Sequence, residues 1–188
     1  MVLWGPLERA VLAETNLART NPVEYAKVLV AMRRHYRGDR YAPPGAVPLV
    51  TREGVAALDE AIAFLRATRP VPPLVPSGGL THAARDHVAD TGPAGLYGHV
   101  GSDGSKVDER VSRYGVWSGA LGENIQYGGA TAREVVANLI IDDGVPGRGH
   151  RALIFNPVYR WVGIASGPHA AISPMTVCDY ATEFAEGR

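Results

Sequence analysis

Tyr159-Arg160-Trp161-Val162-Gly163-Ile164-Ala165 is followed by a Gly/Pro turn over Ser166 to Pro174 and then by the apolar stretch Met175 to Phe184. The two runs read as strands joined in an antiparallel hairpin. They close a chain that opens with helices. Leu7 to Arg19 reads as the first. Asn21-Pro22-Val23-Glu24 starts the second, with Asn at the cap, Pro at the first helical position and Glu three residues after the cap. That helix carries Tyr25, Val28, Leu29 and Met32 on one face. Thr51 can cap a third helix, with Val55, Leu58, Ile62 and Leu65 as its apolar stripe. Leu80 to Thr91 reads as a helix ended by Gly92. Ser105 and Asp108 suggest a short capped helix through Tyr114, with Gly115 as its stop. Gly122 to Tyr127 reads as a short strand. Thr131-Ala132-Arg133-Glu134 is a capping box ahead of Val135, Val136, Leu139 and Ile140. Helices come first and mixed short elements later. The regular alternation of a parallel doubly wound sheet is missing, so the fold class is α+β.

Outside these elements, Arg37 to Pro48 reads as a Gly/Pro-rich loop. Arg69 to Gly79, with Pro70, Pro72, Pro73 and Pro76, is either a linker or a rigid loop crossing the surface of one domain. The second is preferred, because three helices alone make a small unit. The 188 residues are therefore taken as a single domain, 1–188.

Hydrophobic residues make up 46% of the chain, enough for a sizeable core. Lys+Arg and Asp+Glu are equal at 19 each, so no basic excess points to nucleic acid. The single cysteine, Cys178, excludes an intrachain disulfide. Its apolar surroundings make it a buried, inert thiol. No apolar run approaches the ~20 residues of a membrane span. Met1 to Pro6 lacks the basic and apolar regions of a signal peptide, so the protein is either cytoplasmic or has had its leader removed.

The chain has no GxxxxGK[ST], no GxGxxG after a strand, no HExxH and no GxSxG. Its candidate chemistry lies in Gly98-His99-Val100-Gly101-Ser102-Asp103-Gly104-Ser105, Gly122-Glu123-Asn124-Ile125 and Gly147-Arg148-Gly149-His150-Arg151. Two imidazoles and a carboxylate suit a divalent metal such as zinc, or a proton-transfer group. His87 shares a helix face with Leu80 and Ala84 and reads as a satisfied core histidine. His35 is placed at a helix end, His82 on a helix surface and His169 in a solvated turn. Ser105 reads as a cap and Ser102 as part of the turn with Asp103-Gly104. Asn124 either holds backbone or orients Glu123. Arg148 and Arg151 either attract anionic ligands or solvate the rim.

Five segments occur in order: Leu80 to His87, Gly98-His99 to Gly104-Ser105, Gly122 to Ile125, Arg148 to Pro157, and Tyr159 to Ala165. Together they resemble the CAP superfamily, the SCP-like proteins that include cysteine-rich secretory proteins, antigen 5 and plant pathogenesis-related protein 1. Asp142 to Arg151 is similar to the corresponding segment of bacterial members. The resemblance implies an α-β-α sandwich with a central antiparallel sheet covered by helices. It also implies a cleft with two His and two acids, which in several members binds a divalent cation, often zinc. His99 and His150 match the family histidines, and Glu123 matches the glutamate of the Gly-Glu-Asn motif. The second acid is Asp142, with Asp143 and Glu134 as rivals. Asp142 lies near a helix C-terminus, where the helix dipole disfavours an acid. Either it has a compensating role or Asp142 and Asp143 form a polar stop before Gly144.

The resemblance implies a secreted, non-enzymatic binding module, extracellular or periplasmic, for a lipid, small molecule or protein. His99 and His150 would ligate Zn²⁺ or another divalent cation, Glu123 and Asp142 would be the cleft acids, and Asn124 and Arg151 would stand behind them or at the rim. The alternative is a metal-dependent, peptidase-like hydrolase in which Glu123 activates a water. A third reading is a hydrogen-bonded cluster with a purely structural role. The single Cys departs from the disulfide-rich eukaryotic members and fits a bacterial relative.

Overall fold

The computed structural model describes residues 4–45 and 47–187. The start of the segment inspected for a leader, residues 1–3, therefore lies outside the described residues, as does Ala46 in the first loop.

In chain order the elements are α1 (Pro6–Thr20), α2 (Pro22–Arg33), β1 (Tyr36–Arg37), β2 (Arg40–Tyr41), β3 (Leu49–Val50), α3 (Val55–Ala67), β4 (Val75–Pro76), α4 (Gly78–Ala94), α5 (Val107–Ser112), β5 (Gly115–Tyr127), α6 (Ala132–Ile141), α7 (Gly149–Phe155), β6 (Trp161–Gly167) and β7 (Met175–Glu186). β1, β2 and β3 form a small antiparallel sheet: β2 and Arg37 of β1 fall in the segment expected to be loop, and β3 follows it directly. The main sheet has the order β4-β6-β7-β5. β6 and β7 form the expected hairpin, β5 runs antiparallel to β7, and the two-residue β4 joins the far edge in parallel.

Side chains alternate across a strand, and the two faces of the sheet bury different helices. Val162, Ile164, Cys178 and Tyr180 pack into one large core with residues of α1, α2, α3, α6 and α7. Ile125, Ala165, Met175 and Val177 meet Ala84 and Val88 of α4, and Ala181 meets Leu80, Ala83 and Val111. Helices thus cover both faces, giving the α-β-α sandwich. Gly163 sets the spacing of one layer: a Cβ there would lie 2.0 Å from the carbonyl carbon of Leu80, so the α4 backbone rests directly on β6.

Several helix boundaries differ from the sequence expectation. Thr51 donates its hydroxyl to Asp39 O instead of capping α3, which begins after Gly54. The Asp143 carboxylate accepts the N–H groups of Arg52 and Glu53 just ahead of it. α4 is capped by Ser77, runs through Gly92 and Pro93, and stops at Gly95 in the left-handed conformation (φ +65°). α5 is preceded by Lys106, not Ser105, and Glu109 accepts the Lys106 N–H. Asn21 stands at the expected position but makes no side-chain cap bond. The Thr131–Glu134 capping box forms as read.

The proline-rich segment is strapped to the fold. Asn16 bonds both the N–H and the carbonyl of Leu74, and Val71 N–H donates to Arg19 O. Arg19, fully buried, donates to the carbonyls of Pro72, Ile154, Asn156 and Tyr159. One guanidinium thereby ties α1, the proline segment, α7 and the approach to β6. Substituting Arg19→Met should strand these carbonyls and cost at least about 3 kcal/mol. Urea unfolding of the parent and the variant would measure the loss.

Candidate functional site

Among the described residues β5 is an edge strand of the main sheet, paired with β7 alone. Its residues Glu123 and Asn124 are neighbours and therefore point to opposite faces. Glu123 faces α4 and α5; Asn124 faces α6 and α7. Glu123 meets the His99 ring and Asn124 meets the His150 backbone, so the two histidines approach β5 from opposite faces.

On the first face, His99 comes from the loop between α4 and α5. Its Nδ1 lies 2.8 Å from Glu123 Oε1. A carboxylate only accepts, so Nδ1 carries the proton and the lone pair of the neutral ring is on Nε2. Arg110 of α5 holds the arrangement. It donates from Nη2 to Glu123 Oε2 at 2.5 Å, and from Nη1 to the carbonyls of His99 (3.2 Å) and Ser105 (2.9 Å). The loop is also tied by His87 Nε2, which donates to Gly98 O, and by Gly98 N–H, which donates to the Tyr127 hydroxyl. Burial lowers the His87 pKa and keeps the ring neutral, so its Nδ1 is an acceptor; that atom is buried without a partner among the described residues. His87 is thus a core histidine, as expected, with only one of its ring nitrogens satisfied.

On the second face, Asp142 is the C-cap of α6, in the left-handed conformation at φ 56°. Its Oδ1 lies 2.6 Å from His150 Nδ1, and its Oδ2 accepts the N–H groups of His150 (2.9 Å) and Arg151 (3.3 Å). The carboxylate at the unfavourable end of α6 is therefore also at the favourable N-terminus of α7, which resolves the conflict with the helix dipole. The rivals are occupied elsewhere: Glu134 caps α6, and Asp143 binds backbone ahead of α3. Asn124 Nδ2 donates to His150 O (3.1 Å) and the Tyr180 hydroxyl (3.3 Å), so it supports His150 and not Glu123.

The two pairs share one design. The acids are 2% exposed at their side chains, while His99 is 54% and His150 25% exposed. Each buried carboxylate fixes the tautomer of an imidazole that reaches solvent. A cleft of about 350 Å³ runs between β5 and the small sheet, with walls that include Tyr36, Val50, Ile125, Tyr127, Asp142 and His150. His99 is not one of its walls. In each pair the imidazole Nε2 is the ring nitrogen not bound to the carboxylate. Among the described residues no three His, Cys, Asp or Glu side chains converge on one point.

The flanking arginines do not serve free anions. Arg148 bonds Glu53, Glu60 and Asp142 O. Arg151 bonds Glu60 and the carbonyls of Ile140 and Ile141, with its guanidinium over Phe64. Both tie α3 to the end of α6. His169, expected in solvent, is buried. The turn folds back so that Ala170 N–H reaches Gly92 O, and the ring packs against Tyr97 and Tyr127 with both nitrogens bonded. Cys178 is buried as expected, its thiol pushed up to about 12, chiefly by burial.

Sequence reasoning passed over Arg110 and Asp179. Arg110 gave no local signal, because its partner is on another element. Asp179 did give one: a carboxylate inside the apolar run Met175 to Phe184, on a strand buried on both faces.

A sequence profile of the CAP family, the cysteine-rich secretory protein family, matches residues 60–180 and so spans His99, Arg110, Glu123, Asn124, Asp142 and His150. The chain belongs to the CAP family. Among solved structures, this CAP protein is similar to an extracellular protein containing an SCP domain from Bacillus anthracis str. Ames (16% identity, TM-score 0.49, 65% of this chain and 37% of that one). It is also similar to an outer surface protein from Borrelia burgdorferi (16% identity, TM-score 0.49, 59% of this chain and 78% of that one). The CAP chain thus covers little over a third of the Bacillus anthracis protein. No curated protein matches it.

Two measurements follow from this geometry. Arg110→Met leaves the Glu123 carboxylate buried and uncompensated and should cost about 3–5 kcal/mol. In a double-mutant cycle with Glu123→Gln, the combined loss should fall short of the sum by more than about 1 kcal/mol. Acid titration is the second. Hydrogen bonds from Arg148 draw Glu53 down to about 2 and lower Glu60 as well. Depressed carboxylates stabilise the fold above the ordinary Glu range, and that contribution fades as pH falls toward 2. Arg148→Met should therefore flatten the acid limb of the stability–pH curve.

Proposed function

We propose that this CAP protein is an extracytoplasmic binding module whose site, wrapped around the β5 edge, presents His99 and His150 to a divalent cation such as Zn²⁺. A lipid, small molecule or protein would be held at or beside that cation. The observation that carries this reading is the repeated pairing of an exposed imidazole, through Nδ1, with a buried carboxylate. A carboxylate behind an imidazole fixes the tautomer, orients the ring and raises the basicity of Nε2, which is how metal-binding histidines are prepared. A cation bound by two imidazoles would supply a Lewis acid with open coordination positions. Glu123 and Asp142 would orient the rings, and Arg110 and Asn124 would hold those acids and loops in place.

The same contacts favour binding over hydrolysis. Each oxygen of Glu123 and of Asp142 already accepts a donor from a histidine, an arginine or the α7 backbone. A water-activating base must stand within reach of the water, whereas both acid side chains are 2% exposed and turned to their histidines. An extracytoplasmic location agrees with a family described as secretory. Among the described residues no helix is long and apolar enough to cross a membrane.

Calorimetric titration of the metal-stripped protein with Zn²⁺ tests the reading. The parent should bind and a His99→Ala/His150→Ala variant should not. Glu123→Gln and Asp142→Asn should each weaken binding by about 10- to 100-fold. Equal heats from the parent and the double variant, or none from either, would overturn the cation site and leave a hydrogen-bonded scaffold.

A further inference from the structure

Asp179 is fully buried on β7, and among the described residues no donor reaches either oxygen of its carboxyl group. Its cross-strand partner on β5 is Glu123. The two carboxyl groups therefore point to the same face of the sheet, beneath α4 and α5. On the other side, Asp179 pairs with Gly163, where the α4 backbone lies directly on the strand and closes the space.

Charge counting decides the state of this pair. Arg110 brings one positive charge, and its Nη2 is on Glu123. The buried His87 ring is neutral. A second negative charge on Asp179 would have no counter-charge and no donor, the most costly condition for a buried carboxylate. Two carboxyl groups side by side in such a place share one proton. We propose that Asp179 is a positioning residue of the site: as the neutral acid it donates its O–H to the Glu123 carboxylate and fixes the orientation in which Glu123 holds Arg110 and His99. The pair carries one negative charge, which Arg110 balances, and all three acceptor-side contacts of Glu123 come from defined donors. The titration direction agrees. Burial, and then the adjacent Glu123, push Asp179 well above the usual carboxyl range.

The inference rests on His99–Glu123 being working parts of the proposed site, yet it is tested on metal-free protein, so a failed zinc titration does not decide it. Protein carrying ¹³C-carboxyl aspartate is measured by infrared spectroscopy at neutral pH. A carboxylic-acid C=O band should appear, shift with the label and vanish in Asp179→Asn. No such band in the parent would overturn the proposal, whether or not any variant folds. The ¹⁵N shifts of the His99 ring are then compared in Asp179→Asn, which still offers Glu123 a donor, and Asp179→Val, which does not. The Asn variant should keep the parent's Nδ1–H tautomer and the Val variant should lose it to a mixture. Parent-like shifts in the Val variant, or equal loss in both, would exclude a positioning role.

Discussion

The buried ion pair between Arg110 and Glu123 is the constraint on which the site depends. A carboxylate on a sheet face covered by helices has lost its water, and only a charged donor of fixed geometry can replace that water. Arg110 does this with Nη2 and uses Nη1 for the backbone of the His99 loop. The acid and the imidazole are thereby anchored by one side chain. A Gly-rich loop gains a defined position without an extensive core of its own. Arg19 plays the equivalent part for the scaffold, with carbonyl dipoles in place of a carboxylate.

The second constraint is the edge position of β5. In an interior strand, residues facing opposite sides of the sheet are separated by the sheet itself. At an edge, loops from both sides can approach the same stretch of strand. The Gly-Glu-Asn motif uses this: its acid binds His99 from one helical layer and its amide binds the His150 backbone from the other. Asp142 completes the second pair by standing between two helix termini, a C-terminus that disfavours it and an N-terminus that favours it.

Where local expectation and structure part, the competing cause is tertiary. Gly92 has the composition of a helix stop, but α4 continues to Gly95 because Gly92 is where the returning turn touches the helix: Pro168 O would lie 2.4 Å from an added Cβ. The same contact buries His169. Thr51 and Ser105 have good capping side chains, yet Asp143 and Glu109 do the work near those helix starts, the first from a residue far along the chain. Arg148 and Arg151, with local surroundings that suggested a charged rim, are neutralised by Glu60 of α3 and by Glu53 just ahead of it.

By itself the sequence determined the α+β class, the terminal hairpin, the capping box of α6, the buried cysteine and the family, because periodicity, turn chemistry and ordered motifs are written in neighbouring residues. Only the tertiary structure decided which carboxylate serves His150, that Asn124 supports that histidine and not Glu123, and that Arg110 and Asp179 belong with Glu123. Those choices depend on which faces of a strand and which helix ends meet in space. Burial turns such meetings into strong interactions, since a charge removed from water must find its partner wherever the fold has placed it.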